Sequence, residues 1–132
     1  MKPTNDTLLI SVEAFFEEKM HIINGEKVLF DYELAELLQV PTKDVIRKVR
    51  ANPERFPGDF LIKIPVQELF HLLPQSEKRR QKLYAFTLGG IMMAAGRFKT
   101  PRAVQISIKL VEFVCGRVGG MEEILDLIQQ TP

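Results

Sequence analysis

The sequence predicts an α+β domain in which a small antiparallel sheet, opened by a hairpin, packs against helices that include a helix-turn-helix. Three observations carry this. Asn24-Gly25 lies between two apolar runs, two short amphipathic stretches flank Gln39-Val40-Pro41, and helical and strand-like segments mix along the chain without a regular alternation. A length of 132 residues suits one domain. With 45% hydrophobic and 27% charged residues, the chain has the apolar content that a packed core needs and a disordered chain lacks.

The elements follow in order. Leu8 to Lys19 is apolar with a late acidic cluster and suits a short helix, or a strand followed by a helix; residues 1–20 are treated as an N-terminal extension. His21 to Phe30 reads as a hairpin, because Asn-Gly tolerates the positive φ angles of a type I′ turn. Asp31 is expected to cap a helix from Tyr32 to about Leu38 with Leu34, Leu37 and Leu38 facing inward. Pro41 cannot continue that helix but suits the opening of a new one. Thr42 then caps or opens a second helix that runs to about Asn52, where Pro53 closes it. Phe60 to Ile64 reads as a strand stopped by Pro65, and Val66 to Leu73 as a short helix ended by Pro74. Gln75 to Gln81 is a polar, basic loop, Leu83 to Phe86 a strand, and Thr87 the cap of a small-residue helix through about Ala95. Val104 to Leu110 alternates like a strand. The Thr100-Pro101 start, the length, and the apolar run of Val111, Phe113 and Val114 favour a helix to about Arg117 instead. Gly119-Gly120 ends it, and residues 119–132 are expected to form a short acidic helix.

Composition narrows the function. Cys115 is alone, so no disulfide forms within the chain, and it is expected to pack in the core as a small hydrophobe. One cysteine with the distant His21 and His71 does not make a zinc cluster, and no metal is expected. The N-terminus lacks a signal-peptide pattern and no apolar run approaches the ~20 residues of a membrane span, so the cytoplasm is the default location and no membrane partner is expected. Gly89-Gly90 and Gly96 lack the Lys-Ser/Thr end of a phosphate loop, and no serine has a nucleophile-elbow setting. The expectation is a protein that is not an enzyme and carries no cofactor.

The charge is distributed unevenly. A formal net charge of +1 hides −5 over residues 1–36, +9 over residues 37–118 and −3 over residues 119–132. A basic stretch within a neutral chain points to a localised anionic partner, with a fully solvated surface as the alternative.

That basic stretch contains the most informative segment, Asp31 to Asn52. Leu34, Ala35 and Leu38 give the first helix a packing face with a small residue, and Val40 plugs the corner. Val45, Ile46 and Val49 form the inner face of the second helix. Lys43, Arg47 and Arg50, at i, i+4 and i+7, form one stripe about 120° away from that face. A DNA-reading helix needs this arrangement, since apolar residues anchor it while long donors reach the major groove. Thr42 and the amides of the helix start suit a phosphate, and Asn52 either pairs with adenine or ends the helix. Asp44 beside the stripe opposes phosphate or accepts from cytosine. Lys48, Arg55 and the cluster Lys78, Arg79, Arg80 and Lys82 are candidates for backbone contacts. For Arg55 the alternative is a turn in which Asp59 pairs with it, and for the cluster a solvated loop.

The residues also resemble a known family, the phage-type "ORF-six N-terminal" DNA-binding domain, a relative of the KilA-N and Bro-N antirepressor domains. The resemblance rests on Gly25-Glu26-Lys27-Val28, Asp31-x-x-Leu34-Ala35-x-Leu37, Val40-x-Thr42-Lys43, Val49-x-x-Asn52-x-x-Arg55-Phe56-Pro57-x-Asp59-Phe60, Tyr84-Ala85-Phe86-Thr87 and Arg102-Ala103-x-Gln105-x-x-Ile108. It covers about residues 21–117, so residues 21–118 are assigned as the DNA-binding domain. Gln39 replaces a usual glycine, and Leu88-Gly89-Gly90 stands where the family usually has Glu-Gln-Gly. The resemblance implies binding of double-stranded DNA as a phage or prophage transcriptional regulator or antirepressor. A homodimer and a phage or host regulatory protein are further partners compatible with that role. From a different class, the alternative is a protein-interaction or oligomerisation module in which the apolar helix 101–117 and the acidic tail bind another protein or a second copy and the basic helix is solvated.

Overall fold

The computed structural model describes residues 14–118. Residues 14–19 form a helix, α1. The strands are β1 (His21–Ile23), β2 (Glu26–Phe30), β3 (Leu61–Pro65) and β4 (Lys82–Phe86), and the remaining helices are α2 (Asp31–Leu38), α3 (Thr42–Ala51), α4 (Val66–Leu69), α5 (Leu88–Ala95) and α6 (Pro101–Val118). Single 3₁₀ turns occupy Pro53–Arg55, Phe70–Leu72 and Gln75–Glu77. The fold is α+β, as expected. The acidic helix expected over residues 119–132 lies outside the described residues.

The four strands form an antiparallel sheet in the order β1-β2-β4-β3. Asn24 (φ 52°) and Gly25 (φ 81°) make the expected turn between β1 and β2. β4 is an inner strand, buried from Leu83 to Phe86 because its neighbouring residues alternate between two apolar layers. Leu83 and Ala85 join Val28, Phe30, Ile64, Val66, Leu69 and Leu73 on one side. Tyr84 and Phe86 join Leu29 and the apolar faces of α2, α3, α5 and α6 on the other. Phe16 of α1 is buried in this larger layer, edge-to-face with Phe113 of α6.

The segment 101–118 is one helix, so the start signal at Thr100-Pro101 outweighs the local alternation. Ala103, Ile106 and Leu110 are its fully buried positions. The helix expected over Val66 to Leu73 is shorter, ending at Leu69 and continuing as a 3₁₀ turn. Cys115 is exposed, contrary to the core position expected for it.

Two sequence blocks that carry the family resemblance meet in space. Phe56 lies edge-to-face with Phe86 at 6.2 Å. The Thr87 hydroxyl donates to the Asp59 carbonyl (2.8 Å) and its amide to the Phe60 carbonyl (3.2 Å). A Cβ added at Gly90 would overlap the Phe60 carbonyl oxygen, so this turn of α5 can approach the chain only as glycine. No ion pair links Arg55 to Asp59 among the described residues, so Arg55 remains exposed on its 3₁₀ turn. Among the described residues, no helix is long and apolar enough to cross a membrane.

Candidate nucleic-acid interface

The candidate surface is built on α2 and α3. Helix α2 starts at Asp31, one residue earlier than the sequence indicated, with Phe30 as its N-cap. Asp31 therefore does not cap. Glu33 does that work, accepting the Phe30 amide at 2.9 Å, and its carboxylate also meets His21 Nε2 at 2.9 and 3.0 Å. At the other end, Gln39 adopts the left-handed conformation (φ 57°). Its amide donates to the Glu36 carbonyl and the Val40 amide to the Ala35 carbonyl, which is the pattern of a Schellman stop. Arg102 adds a third donor there, from Nε to the Leu37 carbonyl at 3.1 Å.

This stop turns the chain directly into α3. Val45 and Val49 are buried against α2, and Ile46 packs at their edge. On the far side, Lys43, Arg47 and Arg50 are all exposed. The stripe divides by environment, however. Arg47 pairs with Asp44 at 3.1 Å while its side chain stays 69% exposed. An ion pair so open to water contributes little to stability, so the guanidinium is free to exchange partners. Arg50 instead lies beside Tyr84 of the sheet. Thr42 is half-buried as the first residue of α3, with Pro41 as the N-cap.

Four candidates are engaged within the protein. Asn52 ends α3 and its side-chain amide donates to the Lys48 carbonyl at 2.8 Å, which favours the helix-ending alternative left open by the sequence. Lys48 lies over the Phe98 ring at 5.7 Å and is half-buried. Lys78 lies over the Phe70 ring at 4.6 Å. Arg80 forms a two-pronged pair with the fully buried Asp31, at 2.7 Å on each prong, and a further contact of 3.0 Å with Glu77. The Asp31 carboxylate also accepts the Tyr84 amide at 3.0 Å. The hydrogen bond from Arg80 to Asp31 holds its guanidinium even more firmly protonated than usual. Arg80 is thus a clamp between α2, β4 and the loop before β4. Arg79 and Lys82 of the same cluster remain exposed.

Sequence reasoning missed Lys63 and Tyr84 as members of this surface. Lys63 and Tyr84 are register partners on β3 and β4, and Lys82 lies two residues before Tyr84 on the same face. The Lys63 and Lys82 ammonium groups lie 5.9 and 5.7 Å from the Tyr84 ring centre. Val49, Arg50, Pro53, Phe56, Leu61, Lys63 and Tyr84 line an open cleft of about 470 Å³ between α3 and the sheet. Burial of Tyr84 raises its pKa, but the neighbouring cations Arg50, Lys82 and Lys63 outweigh this and lower it. Period-2 alternation from Lys82 was the available signal for this grouping. The pairing of β4 with β3 was not.

Among the described residues, no group of three or more His, Cys, Asp and Glu side chains is placed to hold a metal. Residues 18–96 match the model of the ORF6N domain, a span that runs from α1 to just past α5 and takes in the whole sheet, α2, α3 and the cleft. No curated protein and no solved structure matches the chain. The family match extends over more than half of the 132 residues, and the chain belongs to the ORF6N domain family.

Proposed function

We propose that this domain binds duplex DNA with α2 and α3 as a helix-turn-helix, in the setting of phage-type regulation that fits an ORF6N domain. The observation that carries the proposal is the polarity of α3. Val45 and Val49 anchor one side, while Lys43 and Arg47 stand exposed one turn apart on the other. A helix held in this way can enter a major groove without disturbing the core. Lys43 and Arg47 are assigned to the groove, where arginine can fork onto a guanine edge and lysine mainly supplies charge. Arg55, Arg79 and Lys82 are assigned to the backbone. Transcriptional control or antirepression is the role proposed for such binding, and catalysis is not part of it.

Arg47→Ala is expected to weaken duplex binding, measured by fluorescence anisotropy, while the far-ultraviolet circular dichroism stays that of the wild type. Unchanged affinity would remove Arg47 from the groove. A second reading has its own observation: Val104, Ile108 and Val111 are 45%, 52% and 50% exposed at i, i+4 and i+7 on α6. That face suits another protein chain. Size exclusion with and without DNA separates the readings, since a protein-interaction module without DNA contact elutes unchanged when duplex is added.

A further inference from the structure

We propose that the cleft between α3 and the β3–β4 edge of the sheet is a phosphate site, and that it seats one phosphate of the DNA backbone beside the recognition helix. The inference rests on the DNA-binding reading and gives Arg50 a different task from Lys43 and Arg47. Two cations line the cleft, Arg50 from α3 and Lys63 from β3, and a third, Lys82 from β4, stands beside it over the Tyr84 ring. None of the three has a carboxylate partner among the described residues. Elsewhere in the domain the partly buried cations Arg80 and Lys109 are neutralised by Asp31 and Glu112. Three uncompensated positive charges around one tyrosine repel one another, and an anion in the cleft relieves that repulsion.

The cleft also has the components of an oxyanion cradle. Tyr84 is 3% exposed, so the floor of the cleft is positioned by the fold and not by a mobile surface chain. Arg50 offers planar paired donors, and the two lysines offer ammonium groups from the sheet. The opening of about 470 Å³ is wide enough for a phosphodiester and its flanking sugars to pass across it. Phe56, Pro53 and Leu61 supply apolar walls against which a sugar can rest. Because Arg50 occupies the last turn of α3, a phosphate held there fixes how deeply and at what angle α3 enters the groove. Such a contact carries affinity for any sequence and no base preference of its own.

Two measurements on the full chain test this. The first is duplex binding across a salt series for the wild type, Lys63→Gln, and Lys27→Gln as a control on β2, away from the β3 edge of the sheet. Both lysines are exposed, so neither change disturbs the core. Lys63→Gln is expected to weaken binding to unrelated sequences equally and to reduce the salt slope by about one unit, whereas Lys27→Gln leaves both unchanged. An unaltered slope for Lys63→Gln, with binding still lost in Lys43→Ala/Arg47→Ala, would overturn the cleft and leave the helix reading standing. The second measurement needs no DNA. Tyrosinate absorbance is titrated with inorganic phosphate against chloride at equal ionic strength, and Tyr84→Phe identifies the Tyr84 step. Phosphate is expected to move that step to higher pH in the wild type and less so in Lys63→Gln. Movement without any wild-type DNA binding would overturn both the helix reading and the DNA source of the phosphate, while retaining a site for phosphate from another source. No movement would overturn the site itself.

Discussion

At the residue scale, two positions separate what a pattern states from what a structure requires. Gln39 was legible as an irregularity, because a glycine is the usual residue at a left-handed helix stop. The structure keeps the stop and accepts the strain, with φ at 57°. A left-handed residue with a Cβ costs roughly 1–2 kcal/mol that glycine avoids, partly offset by the greater freedom glycine has when unfolded. Gln39→Gly is therefore expected to raise the unfolding free energy by about 0.5–1 kcal/mol, measured by urea denaturation. A loss of stability would mean that the Gln39 side chain makes a contact worth more than the strain. The two tyrosines form the other contrast. Tyr32 is raised above its usual value, first by burial and then by the nearby Glu33, Glu77 and Asp31, whereas Tyr84 is lowered by its cations despite burial. Absorbance at alkaline pH should resolve two steps, Tyr84 below and Tyr32 above the ordinary value near 10. The sign for stability follows. Just below pH 10 the unfolded chain holds the Tyr84 proton that the folded chain has released, so Tyr84 contributes stability that grows as pH rises through this window. Above pH 10 the folded chain retains the Tyr32 proton, and stability falls. Coincident steps would contradict the cation cluster around Tyr84.

At the element scale, α2 and α3 were legible nearly to the residue, because proline, apolar spacing and basic spacing agree there. Helix α6 was legible through its start and its length. The role of Asp31 was not. An aspartate before a helical pattern usually caps it, and only the loop before β4, folded back across 49 residues, makes it the partner of Arg80. No local pattern encodes that distance. The same fold-back separates the basic run 78–82 into different tasks. Arg80 is a structural cation, Lys78 covers an aromatic ring, and Lys82 lies over the Tyr84 ring. Arg80→Met is accordingly expected to lower the unfolding free energy by about 3 kcal/mol, since it strands a buried carboxylate. The salt slope of DNA binding by the folded variant should match that of the wild type. A reduced slope with unchanged stability would return Arg80 to the contact surface.

At the scale of the whole molecule, the sheet is a wall with two uses. One face closes a small core with α4. The other carries the larger core and, at the β3–β4 edge, presents Lys63 and Lys82 beside α3. The fold class was legible because helices and short strands are mixed in order. The cleft was not, since it depends on β4 pairing with β3 on one side and β2 on the other, a non-local choice that no run of residues states. The proposed function places duplex DNA on the exposed side of α3. Its most direct test is fluorescence anisotropy on random-sequence duplex across a salt series, comparing the wild type with Lys43→Ala/Arg47→Ala. Steeply salt-dependent binding by the wild type, and a loss of that binding in the folded double variant, are expected. A folded wild type that fails to bind even at low salt, or a double variant that binds as tightly as the wild type, would contradict it.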